Sequence, residues 1–284
     1  MNIVLFVNKD LESNFACHLL REELANHRVR IYYSEKVGKA VEKPAELVQL
    51  QFFEREFVYG TVLNILREHR MTTPFVFFGE GSGIPMTRCD DVNDSTFIDT
   101  LRDFHPDIFL SIRFGHIFHE EVIGIPAKGV VNLHSAILPR YRGILGTLHA
   151  LKERCKEIGC TLHYIGNRTI DTGDIIDLAT MDVDTSRSLF WHVMQLYVKG
   201  CLSIVRCLQL LSQGGQPMVS KQEGEGHYFS SPTREDFAQL RRSGFSVITA
   251  DDYLEFFDQW VSPVLSKRLS IQKEIIELRE TSSR

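Results

Sequence analysis

Residues 130–143 read VVNLHSAILPRYRG, and this stretch decides how the rest of the chain is interpreted. The apolar residues of VVNLH favour a buried strand, and Asn132 and His134 alternate with them. Side chains two residues apart on a strand share a face, so the amide and the imidazole point the same way. The carboxyl end of a strand is where an open α/β sheet binds its ligand. An isolated Asn-x-His pair would more often be a strand end with locally satisfied polar groups.

A second motif follows at residues 170–176, which read IDTGDII. Asp, Thr and Gly are turn residues, and Gly173 can adopt a positive φ. We therefore expect a tight turn that carries two acids, Asp171 and Asp174, before the next strand. A turn of this kind is compatible with a functional carboxylate at either acid.

In this order and at this separation, N-L-H-S-x-x-L-P-x-Y-R-G and D-T-G-D-I-I resemble the formyltransferase family that uses 10-formyltetrahydrofolate. The family includes methionyl-tRNA, glycinamide ribonucleotide and nucleotide-sugar N-formyltransferases, and formyltetrahydrofolate deformylase. The resemblance is good from about residue 94 to residue 176 and fades after about residue 215. It implies an α/β fold: a Rossmann-like, open, twisted and mostly parallel sheet flanked by helices. It also implies an N-formyltransferase with N10-formyltetrahydrofolate as co-substrate.

The resemblance also implies roles for three residues. Asn132 and His134 would polarise the formyl oxygen and stabilise the tetrahedral intermediate, and Asp171 would relay a proton. Formyl transfer to an amine needs an oxyanion donor and acid–base catalysis near neutral pH, for which histidine is suited. Asp174 is expected to cap the turn or the start of the next strand. The reaction requires no metal.

The segment between the strand at residues 107–111 and the Asn-x-His strand lines the pterin pocket in the resembling family. By this resemblance we expect the co-substrate to be bound by Phe114, His116, Ile117, Phe118 and Gly173. The pair His116-x2-His119 has metal-ligand spacing, but no third ligand accompanies it, so no metal site is expected.

Alternating strand and helix patterns extend through the first 215 residues and predict a parallel sheet with helices on both faces. Residues 35–70 have a helical composition, and residues 74–78 have the character of a strand. We expect residues 1–215 to form the catalytic domain. Residues 216–284 are expected to be a mainly helical extension that consists of a linker and helices, the last at residues 264–278. The extension is short for the β-barrel with which methionyl-tRNA formyltransferases hold tRNA, so a cap, a lid or a dimer arm in a homodimer is expected.

Composition limits the remaining options. The chain has 284 residues and a formal charge of −5, which argues mildly against binding of nucleic acid, tRNA included. Its six cysteines form no recognisable framework, as is usual in a reducing cytoplasm. No apolar run approaches the roughly 20 residues that cross a membrane, and residues 1–7 look like a first strand rather than a signal peptide. A cytoplasmic protein without a membrane partner is expected.

The loop after the first strand, residues 8–14, bears on the acceptor. Its sequence is NKDLESN, in which Asp10 and Glu12 stand where glycinamide ribonucleotide formyltransferases carry glycines that approach a phosphate. Acids repel phosphate, so that role is disfavoured. The expected acceptor is the primary amine of a small molecule, such as a nucleotide-linked amino sugar or a specialised-pathway amine. The alternatives are a formyltetrahydrofolate hydrolase, a methionyl-tRNA formyltransferase and a non-catalytic folate- or sugar-binding relative. The hydrolases usually carry an amino-terminal regulatory domain, whereas this sequence begins at the first strand.

Overall fold

The computed structural model describes residues 1–35, 43–73, 75 and 86–270, and a seven-stranded sheet runs through this part of the chain. The strand order is β3-β2-β1-β4-β5-β7-β8, and two short strands, β6 and β9, pair separately. The strands are β1 (Asn2–Asn8), β2 (Arg28–Ser34), β3 (Met86–Arg88), β4 (Ile108–Ile112), β5 (Val130–His134), β6 (Tyr141–Gly143), β7 (Glu157–Ile165), β8 (Ile175–Asp182) and β9 (His227–Phe229).

The first five strands of the sheet order are parallel, and β7 is antiparallel to both β5 and β8. Residues Ile3 to Val7 of β1 are completely buried, because helices cover both faces of the sheet at its centre. A continuous apolar run is what a central parallel strand requires. The predicted α/β fold with a mostly parallel sheet is therefore confirmed, and the antiparallel strands lie beyond β5.

Several helices begin at a polar side chain that accepts a hydrogen bond from a backbone N–H of the first helical turn. Asp10, Asp94, Ser188, Thr233 and Thr249 each do so at a helix start. The helices are α1 (Leu11–Leu24), α2 (Ala45–Gln51), α3 (Leu63–Glu68), α4 (Ser95–Asp103), α5 (Glu120–Ile123), α6 (Gly146–Lys152), α7 (Leu189–Ser212), α8 (Arg234–Arg242), α9 (Ala250–Trp260) and α10 (Pro263–Ser270). Among the described residues, no helix combines the length and the apolar character that a membrane crossing requires.

Three sequence predictions are only partly covered by the described residues. The helical region expected at residues 35–70 is helical from residue 45 to residue 68, but its middle, Phe52–Val62, is a π-helix. The strand expected at residues 74–78 lies outside the described residues, apart from the buried Phe75. Of the last predicted helix, the structure describes the part that ends at Ser270.

The helices after residue 233 share a hydrophobic core with the first strand and helix. The Phe15 and Phe256 rings meet edge to face with centroids 5.1 Å apart. Tyr253 is completely buried, and its hydroxyl donates to the carbonyl of Phe53 at 2.8 Å. The mainly helical character predicted for the extension is confirmed. The domain boundary at residue 215 stays a prediction.

His149 is a buried histidine on α6 beside the short β6–β9 pair. Its ring stacks on Phe229 with centroids 3.8 Å apart. Neither ring nitrogen has a hydrogen-bond partner among the described residues, and a carboxylate oxygen of Asp236 is 3.9 Å from Nδ1. Burial, reinforced by Lys152, lowers the pKa of His149 from 6.5 to about 4.

Because the pKa of His149 is lowered, the stability of the fold should depend on pH. Between pH 6.5 and 4 the unfolded chain takes up a proton at residue 149 that the folded chain does not. The stabilising contribution is therefore complete above pH 6.5 and is lost as the pH falls towards 4. His149→Phe keeps the stacked ring and removes the titration. Between pH 7 and pH 4.5, the free energy of unfolding measured with urea should therefore fall by ~1–2 kcal/mol less in this variant than in the unmodified protein. The same replacement at the exposed His119 serves as the control, and an unchanged loss in His149→Phe would contradict the assignment.

Candidate active site

A cavity of about 370 Å³ opens at the carboxyl ends of β1, β4 and β5. This is the edge at which an open α/β sheet binds its ligands, and the volume suits a small molecule. The structure brings all eight site residues that the sequence predicted to the lining of this one cavity: Phe114, His116, Ile117, Phe118, Asn132, His134, Asp171 and Gly173.

Asn132 is held by a histidine that the sequence reasoning missed. Its Nδ2 lies 3.1 Å from Nε2 of His163, the residue opposite it in the antiparallel pairing of β5 and β7. Nδ1 of His163 is 2.9 Å from the carbonyl of Tyr164, which can only accept, so Nδ1 carries a hydrogen. In the neutral ring Nε2 therefore accepts from Asn132. The amide has a second hydrogen that it can donate to a ligand in the cavity.

His134 lies between a carbonyl and a carboxylate. Its Nε2 is 2.6 Å from the carbonyl of Tyr141, and its Nδ1 is 3.5 Å from Oδ2 of Asp171. The carbonyl requires a hydrogen on Nε2, so Nδ1 can donate to Asp171 only when the ring is an imidazolium. The ring is 8% exposed, and it lines the cavity.

Asp171 joins the two histidines. Its Oδ1 lies 3.4 Å from Nε2 of His163, and its Oδ2 accepts from the backbone N–H of Gly143 at 2.8 Å. Burial by itself would raise the pKa of Asp171, but His134, His163 and the Gly143 N–H hold it well below the ordinary value. The site therefore contains a buried carboxylate that stays ionised beside two imidazoles.

The two acids of the turn have different positions. Asp171 reaches the cavity with a backbone φ of 54°, which few non-glycine residues adopt. Asp174 points away, and its Oδ2 pairs with Lys221 at 2.9 Å. The predicted capping role of the Asp174 side chain is replaced by this ion pair, and its backbone carbonyl accepts from Tyr164.

The residues expected to bind the pterin form an apolar wall. Phe114 stacks on Phe118 with centroids 5.4 Å apart, and its ring is 5.1 Å from that of His116. Phe118 is buried, whereas Ile117 is 50% exposed at the cavity. A flat heterocycle could lie along this wall, with Ile117 partly covering it.

A buried ion cluster closes the end of the cavity near β1. Arg113 donates to Asp10 at 2.9 Å and to Glu54 at 3.2 Å, and its guanidinium is 3.9 Å from Glu12. Among the described residues, these three acids are the group whose oxygens could converge on a metal ion, but the guanidinium already supplies a positive charge there. Burial raises the pKa of Glu12 well above its ordinary value although Arg113 opposes this. Only Arg113 and Glu54 of the cluster line the cavity.

Tyr141, Arg140 and Arg142 of the first motif differ in what they contact. Tyr141 is 2% exposed, and its hydroxyl donates to Glu153 at 2.8 Å, so it packs the loop. Arg140 also pairs with Glu153, whereas Arg142 donates to Gln222. No local signal could have identified His163 or Gln222, because each contacts the motif residues across a distant pairing.

Gly173 has a steric role in the turn. A Cβ at this position would lie 1.7 Å from the carbonyl oxygen of Tyr164, so the backbones approach more closely than any side chain allows. The turn that carries Asp171 is thereby held against β7.

We expect Gly173→Ala to push the turn away from Tyr164 and to lower the free energy of unfolding by about 1–3 kcal/mol. Gly166→Ala is the matched control, because a Cβ there has no atom within 4 Å. Denaturant unfolding of both variants measures the difference. Equal stability of the two would show that the turn has room for a side chain.

The chain is similar in sequence to known formyltransferases. Residues 61–190 match the family model described as formyl transferase. Methionyl-tRNA formyltransferase of Moorella thermoacetica is 29% identical over 147 residues, which are 52% of this chain and 47% of that protein. The chain thus spans about half the length of the curated relatives it matches.

Two solved structures show the same fold. A sugar N-formyltransferase from Shewanella aligns with a TM-score of 0.54 and 16% identity over 86% of this chain and 88% of that one. A sugar 3N-formyltransferase determined with dTDP and 5-N-formyl-THF aligns with a TM-score of 0.52 and 17% identity, over 86% and 79% of the two chains. The segment that matches the formyl transferase family model, residues 61–190, contains the strand with Asn132 and His134 and the turn with Asp171.

Proposed function

We propose that this protein transfers the formyl group of N10-formyltetrahydrofolate to a primary amine of a small molecule. The observation that carries the proposal is the convergence of Asn132, His134 and Asp171 on one cavity, with interatomic distances of 3.1 to 3.5 Å to their histidine and carboxylate neighbours. A module that only binds folate or sugar has no need of a buried ionised carboxylate beside two imidazoles. Perturbed ionisable groups in a cleft are typical of catalysis.

The apolar wall formed by Phe114, Ile117 and Phe118 is the proposed site of the pterin. Its aromatic and aliphatic side chains suit the faces of a flat ring, and the wall and Asn132 line the same cavity. The sugar 3N-formyltransferase with the same fold was solved with a formylated folate, which supports a folate co-substrate here.

Asn132 is proposed to stabilise the intermediate. When the amine attacks the formyl carbon, the carbonyl oxygen becomes an oxyanion that needs a fixed donor. The Asn132 amide can donate one hydrogen to His163 and the other to this oxygen. A preorganised donor of this kind is worth roughly 2.7–4 kcal/mol in the transition state. A positive charge on the adjacent His134 would strengthen the effect.

Asp171 and His134 are proposed to manage the protons. The attacking ammonium must lose a proton. We assign its acceptor to the pair formed by Oδ2 of Asp171 and Nδ1 of His134, which are 3.5 Å apart. Because the pKa of Asp171 is held low, the stable form of the protonated pair is carboxylate with imidazolium. The amine nitrogen of the tetrahedral adduct then loses a second proton, the C–N bond to the folate nitrogen breaks, and the folate nitrogen takes one of the two protons. An ammonium and formyltetrahydrofolate thus give a formamide, tetrahydrofolate and one released proton.

The acceptor is proposed to be a small molecule, with a nucleotide-linked amino sugar as the leading class. The chain carries a net charge of −5, which gives no general attraction to tRNA. The alternative reaction is hydrolysis, in which water replaces the amine.

The proposal is tested by incubating the purified protein with 10-formyltetrahydrofolate and a panel of amines that includes nucleotide-linked amino sugars and an aminoacylated tRNA. Tetrahydrofolate should appear only when an accepted amine is present, with an equal amount of formamide. Steady release without any amine would establish the hydrolase instead. Absence of release under every condition would refute catalysis.

Variants of the three residues test their assigned roles. His134→Ala should abolish turnover and reduce folate binding only modestly, because the pterin wall is unchanged. Asp171→Asn should lower the rate by about 10²- to 10⁴-fold, as expected when acid–base catalysis is lost. Asp174→Asn is the control, because its carboxylate pairs with Lys221 outside the cavity. Full turnover in His134→Ala would show that the proposed assignment is wrong.

A further inference from the structure

We propose that Gln222 is a positioning residue that fixes the backbone beneath Asp171, and that residues 220–229 form a strap that completes the active site. The effect of Gln222 on catalysis rests on the proposed formyl transfer, whereas its effect on the position of the turn does not. Gln222 lies 51 residues beyond Asp171, in the segment that the sequence suggested was a linker.

Gln222 contacts the catalytic turn through its amide nitrogen. Nε2 donates to the carbonyl of Asp171 and to the carbonyl of Gly173, each at 2.8 Å. The φ of 54° at Asp171 is a strained conformation for a residue with a side chain and persists only where its surroundings impose it. The two bonds hold the carbonyls on either side of Thr172 in one arrangement, and that arrangement directs the Asp171 carboxylate at the histidines.

The orientation of the Gln222 amide is fixed by Arg142. Nε and Nη2 of Arg142 lie 3.2 and 2.8 Å from Oε1 of Gln222. Arginine has donors only, so the amide oxygen must face it, and the NH₂ group must face the two carbonyls. Arg142 itself belongs to β6, so Gln222 connects the β6 loop to the Asp171 turn.

The backbone of the strap is attached at both ends. Ser220 exchanges two backbone hydrogen bonds with Ile175, at 2.8 and 2.9 Å, directly after the turn. At the other end Phe229 accepts from the N–H of Ile144 at 2.9 Å, and β9 pairs with β6.

Gly143 of β6 is where the strap and the catalytic carboxylate meet. Its N–H donates to Asp171 at 2.8 Å, and a Cβ on it would lie 2.1 Å from the carbonyl of Phe229. β6 therefore holds the carboxylate of Asp171, and the strap holds its backbone carbonyl and packs against β6.

The inference is tested with two replacements of Gln222. Gln222→Met keeps the length of the side chain and removes both hydrogen-bonding groups. Gln222→Glu keeps an oxygen for Arg142 but cannot donate to the carbonyls of Asp171 and Gly173. If the donated bonds are what matters, both variants should lower kcat by about 10- to 100-fold and leave KM for formyltetrahydrofolate within about twofold, as expected for a misplaced catalytic group. The same replacements at Gln209, which binds Glu23 on the exposed side of α7, are the controls.

Amide hydrogen exchange provides a readout that does not depend on activity. Both Gln222 variants should exchange faster at Gly143, whose N–H is bound to Asp171, whereas the core strand β1 should be unchanged. If the unmodified protein fails to transfer formyl groups but this local pattern appears, the proposed function fails and the positioning role stands. A Gln222→Glu variant with unchanged kcat and exchange would overturn the inference. A rise in exchange throughout the fold, or equal losses of kcat and folate affinity, would also overturn it.

Discussion

The buried charge of Asp171 is the constraint on which the rest of the site depends. A carboxylate out of water is costly unless charged or polar groups surround it. Here the surrounding groups come from three parts of the chain: His134 on β5, His163 on β7 and the Gly143 N–H on β6. The antiparallel pairing of β5 and β7 must therefore be in register, and β6 must be in place, before the carboxylate is satisfied. The geometry of the proposed catalytic residues and the local stability of this edge of the sheet thus have one origin.

The part of the site that could be predicted was local in sequence. Asn132 and His134 share a strand face because they are two residues apart, and Asp171 stands in a recognisable turn motif. His163 could not be predicted, because it is 31 residues from Asn132 in sequence and meets it only through the register of the antiparallel pair of β5 and β7. The parallel sheet was predictable from alternating patterns of strand and helix, whereas the reversal of β7 was not. The π-helix at Phe52–Val62 was also missed, because its apolar spacing resembles that of an ordinary helix.

The structure changes the meaning of the acids after β1. From sequence, Asp10 and Glu12 appeared to face a ligand and repel its phosphate. Both are at most 2% exposed, and they lie against Arg113, which is 103 residues from Asp10 along the chain. The charge that a ligand meets at this end of the cavity is therefore set by Glu54 and the accessible edge of Arg113. A phosphate at this end would meet a guanidinium that is already paired with Asp10 and Glu54.

The same end of the cavity connects to the C-terminal helices. Glu54 follows Phe53, whose carbonyl accepts from the buried Tyr253 hydroxyl of α9. The Phe53 and Tyr253 rings also meet with centroids 5.1 Å apart. The π-helical segment that carries Glu54, of a type often found at functional sites, is supported from outside. The helices after residue 233 support it at Phe53, and the strap at residues 220–229 supports the turn at Asp171. Both ends of the cavity therefore depend on residues beyond position 219, which follow the motifs at residues 130–143 and 170–176 in the sequence.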